Sequence, residues 1–288
     1  MSKIKVSELF YSLQGEGRYV GVPSVFMRTF GCNFRCKQFG RSEPVEGKYN
    51  PEVLPIIENL SKYQKLQELP LVKTGCDTYA SIYPEFQNLS PFYELDQLGQ
   101  EFRKLLPNGQ WRQTNGNDIH LVITGGEPLL GWQRVYPELL DQERENGLRH
   151  VTFETNGTQT LQDELKRFID GYRGDEIDFT FSVSPKLSAS GEPWEQAIKP
   201  DVIAEYENYG FAYLKFVVDC PAHFDEADRA VAEYRAAGFF GPAYVMPVGG
   251  VDVVYNGNKF NIAEEALKRG YYYSPRLHVD LFGNSWSK

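Results

Sequence analysis

The chain has 288 residues, 41% of them hydrophobic and 24% charged, with a net charge of −9. That is enough apolar material for one buried core in an ordinary globular protein, and it excludes a disordered or low-complexity chain. The acidic balance makes a poor general nucleic-acid binder, and the N-terminal MSKIKVSELFYSLQGEG carries no apolar stretch that suits a signal peptide or a membrane span, so a cytoplasmic protein with no membrane or direct nucleic-acid partner is expected.

Taken in chain order, the first strands are expected at residues 4–10 and 24–29. Residues 37–75 break the rhythm, with Pro44, Pro51, Pro55 and Pro70 and no clear strand–helix unit. A short helix is expected within 51–63, with Ile56, Ile57 and Leu60 on one side. The segment reads as an insertion on a loop of a single domain spanning 1–288. Ser90-Pro91 predicts a helix start, serine as cap and proline first. Leu95, Leu98, Phe102, Leu105 and Leu106 follow at helical spacing. Strands at 119–124, 150–154, 178–182, 213–218 and 243–246 then alternate with helices at 132–146, 161–169, 202–209, 225–237 and 262–268. Gly147, Gly238 and Gly270 stand just past three of these helices as stop signals. A last short strand is expected at 277–279.

Strand–helix alternation predicts an α/β fold with a mostly parallel sheet, either doubly wound or a full or partial barrel. In each, functional residues belong at the C-terminal ends of strands. Three polar segments follow strands in that way: Thr124-Gly125-Gly126-Glu127-Pro128, Glu154-Thr155-Asn156-Gly157 and Ser182-Val183-Ser184-Pro185-Lys186.

Four cysteines are too few for a disulfide scaffold, and clustered cysteines in a reducing compartment serve metal binding or chemistry. Cys32 and Cys36 lie four apart, directly after a strand. A [4Fe–4S] cluster takes soft thiolates, and a three-cysteine site leaves one iron open for S-adenosylmethionine (SAM). The usual spacing for such a loop, C-x3-C-x2-C, puts its third position at Phe39, which cannot bind iron. Three readings stand: the third ligand has moved to Cys76 across the insertion, the cluster has been lost, or the thiols hold zinc. A long loop between ligands adds little closure entropy. Cys220 is a spare cysteine, read as a small packed residue.

Several motifs, in order, are similar to those of the 7-carboxy-7-deazaguanine synthase family of radical SAM enzymes. They are Phe10-Tyr11-Ser12-Leu13-Gln14-Gly15-Glu16-Gly17, then Phe26-Met27-Arg28 leading into Gly31-Cys32, then Cys76-Asp77-Thr78, then Gly125-Gly126-Glu127-Pro128. The Asp-Thr after Cys76 favours the displaced ligand, since the family's third cysteine is followed by Asp-Thr. The resemblance implies a shortened partial (β/α) barrel of the radical SAM type, a homodimer and a lyase-type ring contraction in queuosine-type 7-deazapurine biosynthesis. That reaction takes 6-carboxy-5,6,7,8-tetrahydropterin to 7-carboxy-7-deazaguanine with loss of ammonia. It uses a [4Fe–4S] cluster, SAM, Mg2+ and a reducing partner such as a flavodoxin. Carried over by motif, Leu13, Gln14, Gly15, Arg28 and Thr124 contact substrate, Thr78 gives an oxygen to Mg2+, and Gly126 with Ser184, Pro185 and Lys186 contacts SAM. Glu16 and His278 are added as substrate-site residues, and Gly125, Glu127, Glu154 and Asn156 as SAM-site residues. The plainer alternatives are turn glycines at 125 and 126, turn polars at 14 and 16, strand-end caps at 154 and 156, a turn cap at 78, and solvated cations at 28 and 186. Another small radical SAM enzyme, such as a glycyl-radical activating enzyme, or a non-catalytic relative without the cluster are the rival functions.

Overall fold

The structure, a computed structural model, describes residues 2–174 and 176–288. Nine strands form one sheet in the order β3-β1-β2-β4-β5-β6-β7-β8-β9. The first two, β1 (Lys3–Leu13) and β2 (Pro23–Thr29), are an antiparallel pair, and β3 (Phe92–Glu94) adds antiparallel to the outer edge of β1. From β2 onward the sheet is parallel: β4 (His120–Gly125), β5 (His150–Thr155), β6 (Asp178–Val183), β7 (Phe211–Val218), β8 (Ala243–Pro247) and β9 (Tyr272–Tyr273).

The nine α-helices among the described residues are α1 (Leu54–Glu58), α2 (Leu95–Leu105), α3 (Tyr136–Glu145), α4 (Asp163–Tyr172), α5 (Trp194–Ala197), α6 (Pro200–Tyr206), α7 (Pro221–Ala236), α8 (Asp252–Arg269) and α9 (Leu277–Phe282). Alternation within each strand sends one set of side chains under the helices. Val25, Met27, Leu121, Ile123, Val151, Phe153 and Phe181 join the main core there, with Leu98 and Phe102 of α2 and Leu139 and Leu140 of α3. The opposite set faces inward, where Phe10 stacks on Phe26 at 4.9 Å beside Val122. The open parallel sheet, helix-covered on one face and concave on the other, is a partial (β/α) barrel.

Residues 37–75 leave this frame and come back to it. They pack around their own apolar cluster, which includes Val53, Ile56, Leu66, Leu69 and Val72 with Tyr79, Tyr83 and Phe86 beyond them. The two ends meet: the Gly75 amide donates to the Phe39 carbonyl at 2.7 Å. Asn50 ties the base from inside, donating from Nδ2 to the Thr74 carbonyl and accepting from Arg41. Among the described residues the stretch forms one short α-helix, α1, and two 3-10 turns, Leu60–Lys62 and Leu66–Glu68.

Three local expectations are corrected. Residues 277–279 are not a strand but the start of α9; the Leu277 amide donates to the Gly15 carbonyl, which pulls the segment off the sheet edge that Tyr272–Tyr273 occupies instead. Ser90-Pro91 does not open a helix. The Ser90 hydroxyl donates to Ser7 and the Pro91 carbonyl accepts from Val6, so the chain first adds β3; α2 then starts behind Glu94, which forms a capping box with Gln97. Helix α8 begins ten residues earlier than 262, because its N-terminal turns expose apolar side chains that blur the amphipathic pattern. Gly270, with φ of 76°, ends it as expected.

Candidate functional site

Register across the sheet lines up a layer of polar side chains near the C-terminal ends of β2, β4, β5 and β6, joined by one from the middle of antiparallel β1. Glu8 of β1 is opposite Arg28 of β2, and Arg28 is opposite Thr124 of β4. Glu154 of β5 is opposite Ser182 of β6. All five line one cavity, with Lys215 and Val217 of β7 and Met246 of β8 continuing the wall. Beneath them lie the stacked rings of Phe10 and Phe26. A parallel sheet makes such a layer wherever a polar residue falls on the inward phase of a strand's last turn.

Cys32, Cys36 and Cys76 open into the same cavity and pack around a shared patch with Phe34 and Phe39. Cys36 takes a left-handed backbone, φ of 46°, which only a held turn sustains in a non-glycine residue. Glu192 holds it, one carboxylate oxygen accepting from the amides of Arg35 at 2.8 Å and Cys36 at 2.7 Å. Cys76 reaches this loop because Gly75 is bonded to Phe39, the position where C-x3-C-x2-C spacing puts a thiol. The insertion therefore exits and re-enters where the third ligand belongs.

Burial pushes the Cys32 thiol up to about 12 and raises Cys36 and Cys76 as well, with Lys186 as the nearby cation that eases all three. Neutral thiols this deep ionise readily only with a metal at hand. Among the described residues the three sulfurs do not converge within 4.8 Å of one another. A tetrahedral zinc with bonds of about 2.3 Å needs sulfurs about 3.8 Å apart. Three thiols alone are the donor set of a [4Fe–4S] cluster with one open iron, whereas a structural zinc takes four ligands.

A second group of charges closes the other side. The Glu16 carboxylate accepts from Lys215 Nζ at 2.5 Å and Arg276 Nε at 3.0 Å. Arg276 also donates from Nη2 to Asp77 Oδ2 at 2.5 Å and from Nη1 to the Gly249 carbonyl. One guanidinium thus joins the Gly15-Glu16 loop, the turn after Cys76 and the loop after β8. Burial raises the Glu16 carboxyl, but Lys215, Arg276 and His278 outweigh it and hold it far below the usual range. His278 sits flush on Gly15, where a β-carbon would meet Nδ1 at 2.1 Å. Burial and Arg276 hold this imidazole down at about 4, so it is neutral at physiological pH.

Of the site residues expected from sequence, Leu13, Gln14, Gly15, Glu16, Arg28, Thr124, His278, Gly125, Gly126, Glu154, Asn156, Ser184, Lys186, the three cysteines and Thr78 all line this one cavity. Pro185 is buried and stands outside the lining. Glu127 stands outside it too: it is fully buried and accepts from Thr155 Oγ1 at 2.7 Å and from the amides of Asn156 at 2.6 Å and Leu129 at 3.0 Å. It holds one polar turn against the next rather than offering a free acceptor. Gly126 is small for a reason of packing, since a β-carbon would meet the Gly31 carbonyl at 2.4 Å and Cys32 at 2.6 Å. Gln14 bridges Glu154 and the Glu16 amide at 3.1 and 3.0 Å. Thr78 Oγ1 lies 3.3 Å from Cys76 Sγ, and Lys186 donates to Ser184 at 3.1 Å.

Sequence reading missed Glu8, Asp77, Lys215 and Arg276. Lys215 did leave a signal: it is a lone cation in the apolar strand FAYLKFVV, where a buried lysine needs a partner. Glu8 pairs with Arg28 Nε at 2.7 Å, and its other oxygen accepts from Ser287 near the C-terminus, so nothing local in sequence marks it.

A partial (β/α) barrel with three thiols at the C-terminal rim of its strands is the class of protein that fold and cavity define. No family model matches the chain. Over 303 aligned residues it is 30% identical to the 7-carboxy-7-deazaguanine synthase of Halobacterium salinarum, covering 98% of this chain and 91% of that one. The 7-carboxy-7-deazaguanine synthase of Pyrobaculum aerophilum is 27% identical, with 99% and 98% covered. The crystal structure of QueE from Escherichia coli shares the fold, with a TM-score of 0.55 at 18% identity over 96% of this chain and 95% of that one. The chain belongs to the 7-carboxy-7-deazaguanine synthase family.

Proposed function

We propose that the protein is a lyase-type radical SAM enzyme that contracts 6-carboxy-5,6,7,8-tetrahydropterin to 7-carboxy-7-deazaguanine with loss of ammonia. The observation that carries this reading is the meeting of three thiols with the Glu8–Arg28–Thr124–Glu154 layer in one cavity. When bound, the cluster supplies the electron that cleaves SAM and so starts hydrogen abstraction from the pterin.

The protein's own work is to bind, orient and exclude water. Cys32, Cys36 and Cys76 serve as ligands and leave one position for SAM. Asn156, Ser184 and Lys186 face that side and supply polar contacts. Arg28, braced by Glu8, offers a planar fork to the substrate carboxylate. Thr124, Gln14 and the neutral His278 complete the polar contacts to the pterin. Thr78 would offer a hydroxyl oxygen to Mg2+, a hard cation that takes oxygen ligands. A flavodoxin-like donor supplies electrons.

The test is anaerobic conversion of 6-carboxytetrahydropterin with SAM and dithionite, with products read by mass spectrometry. Arg28→Lys keeps a charge beside Glu8 but loses the fork, and kcat/KM is expected to fall about 10- to 100-fold, mostly in KM. A protein that holds its cluster and cleaves SAM but makes no deazaguanine would redirect the reading to another small radical SAM reaction.

The whole chain is read as one domain of 1–288 with 37–75 inserted. A homodimer is proposed through α8. Val253, Phe260 and Leu267 recur every seven residues and are 80%, 73% and 83% exposed. A twofold axis at Phe260 would set Val253 of one copy against Leu267 of the other, a self-complementary pattern. Gly257, whose β-carbon position meets nothing within 4 Å, leaves room beside the central rings. Phe260→Glu is expected to turn a dimer into a monomer by light scattering, with iron content unchanged; a dimer that persists would refute this face.

A further inference from the structure

The junction of β7 and α7 holds a second set of metal-ligand side chains, apart from the cavity lining. Asp219, Cys220 and His223 bring a carboxylate oxygen, a thiol sulfur and a ring nitrogen within 4.8 Å of one another, the one such group among the described residues. We propose that these three residues bind a divalent ion of borderline softness, with Zn2+ the best match to a sulfur, nitrogen and oxygen donor set.

The local fold explains why they converge. Strand β7 ends at Val218, whose carbonyl accepts from the Val248 amide at 3.0 Å. The next residue is pinned too, its carbonyl accepting from Asn258 Nδ2 at 2.6 Å. Cys220 is extended at the N-cap position and Pro221 starts the 16-residue helix α7, so His223 falls in the first turn, facing back over the cap. Both Asp219 and Cys220 then meet the same ring nitrogen: Oδ1 lies 2.7 Å and Sγ 3.5 Å from His223 Nδ1.

Those separations can be set against coordination geometry. Zinc bonds of about 2.3 Å to sulfur and 2.0–2.1 Å to nitrogen give a tetrahedral sulfur–nitrogen edge of about 3.5–3.6 Å. The Cys220–His223 distance already equals it. The carboxylate–imidazole distance is that of a hydrogen bond, and about 0.6 Å of side-chain movement opens it to the zinc edge. Two anionic donors would balance the ion's charge. The His223 and Asp219 side chains are 14% and 27% exposed, which leaves a way in for the ion and a fourth position for water. One turn further on, Glu226 accepts from the Ser188 amide at 2.9 Å and from its hydroxyl at 2.5 Å. An ion at the head of α7 would therefore steady the segment that follows Lys186.

The experiment uses untagged protein with its cluster fully reconstituted, so that Cys32, Cys36 and Cys76 are occupied. Zn2+ alone is the probe, measured by calorimetric titration with zinc and iron analysis of the desalted protein. About one zinc per chain beyond the cluster iron is expected, with binding at least ~10-fold weaker in Cys220→Ser and in His223→Gln. Iron content and circular dichroism should be unchanged in both, which separates this site from the cluster and from misfolding. Zinc absent from the wild type, or held as tightly by the double variant, would overturn the proposal and leave an Asp219–His223 ion pair only. X-ray absorption of the zinc-loaded protein should show one sulfur neighbour, lost in Cys220→Ser.

Discussion

Replacing Cys76 with alanine should reduce iron after anaerobic reconstitution from about four per chain to below about one, with the matching loss of cluster absorbance. Phe39 stands where a third cysteine is due, and its carbonyl is bonded to the amide next to Cys76. All three thiols are raised by loss of water around them, so none is a good ligand until metal takes up the charge. Two of them without the third leave a site that cannot hold a cluster against competing thiols in solution. A rescue follows from the same geometry: Phe39→Cys in the Cys76→Ala background should recover part of the iron, because the two positions are neighbours. Equal iron in wild type and Cys76→Ala would sink the displaced-ligand reading, whatever the catalytic assay showed.

Arg276→Met should be the most destabilising single change outside the apolar core. Its guanidinium is buried between Glu16 and Asp77, and the methionine would leave both carboxylates without it. Breaking a buried ion network from one side costs about 3–5 kcal/mol, which corresponds to a fall in Tm on the order of 10 °C for a chain of this size. The pH dependence has a definite sign. Glu16 is held below its ordinary 4.5 in the folded state. Its contribution is therefore present above pH 4.5 and is lost as the pH falls below it towards the folded value. Melting followed from pH 7 down to pH 3 should show that loss in wild type and a shallower one in Arg276→Met. The double variant Glu16→Gln with Arg276→Met should be less destabilised than the two singles summed, because the buried charge left behind is smaller. Equal Tm in wild type and Arg276→Met would show that the network is solvated in solution.

The parallel strands were legible because each is a short β-rich run ended by a polar, glycine-bearing segment. The rim was legible for the same reason, since its residues follow strands in sequence and need no long-range knowledge. What stayed hidden is paired across the chain. Lys215 finds Glu16, and Arg276 finds both Glu16 and Asp77, at sequence separations of 199 or more. No local pattern carries such information. Glu127 belongs to the motif but stands outside the cavity lining, because Thr155 and Asn156 of the next strand's turn, with Leu129 of its own, fill its carboxylate. Residues 277–279 read as a strand because Leu-His-Val is too short for period to decide, and the link of Leu277 to Gly15 decides for helix α9 instead.

The joined ends of the 37–75 excursion bear on how the protein is made. Cys32 and Cys36 emerge together on one loop, while Cys76 can take its place only after some forty intervening residues have collapsed onto Val53, Ile56, Leu66 and Leu69 and brought Gly75 back to Phe39. Assembly of the three-thiol site therefore waits on the collapse of a separate small core, so a nascent chain offers two thiols first and the third later. The same adjacency has a consequence over longer times. A segment whose two ends touch can be lengthened, shortened or exchanged between lineages without moving a single strand of the barrel.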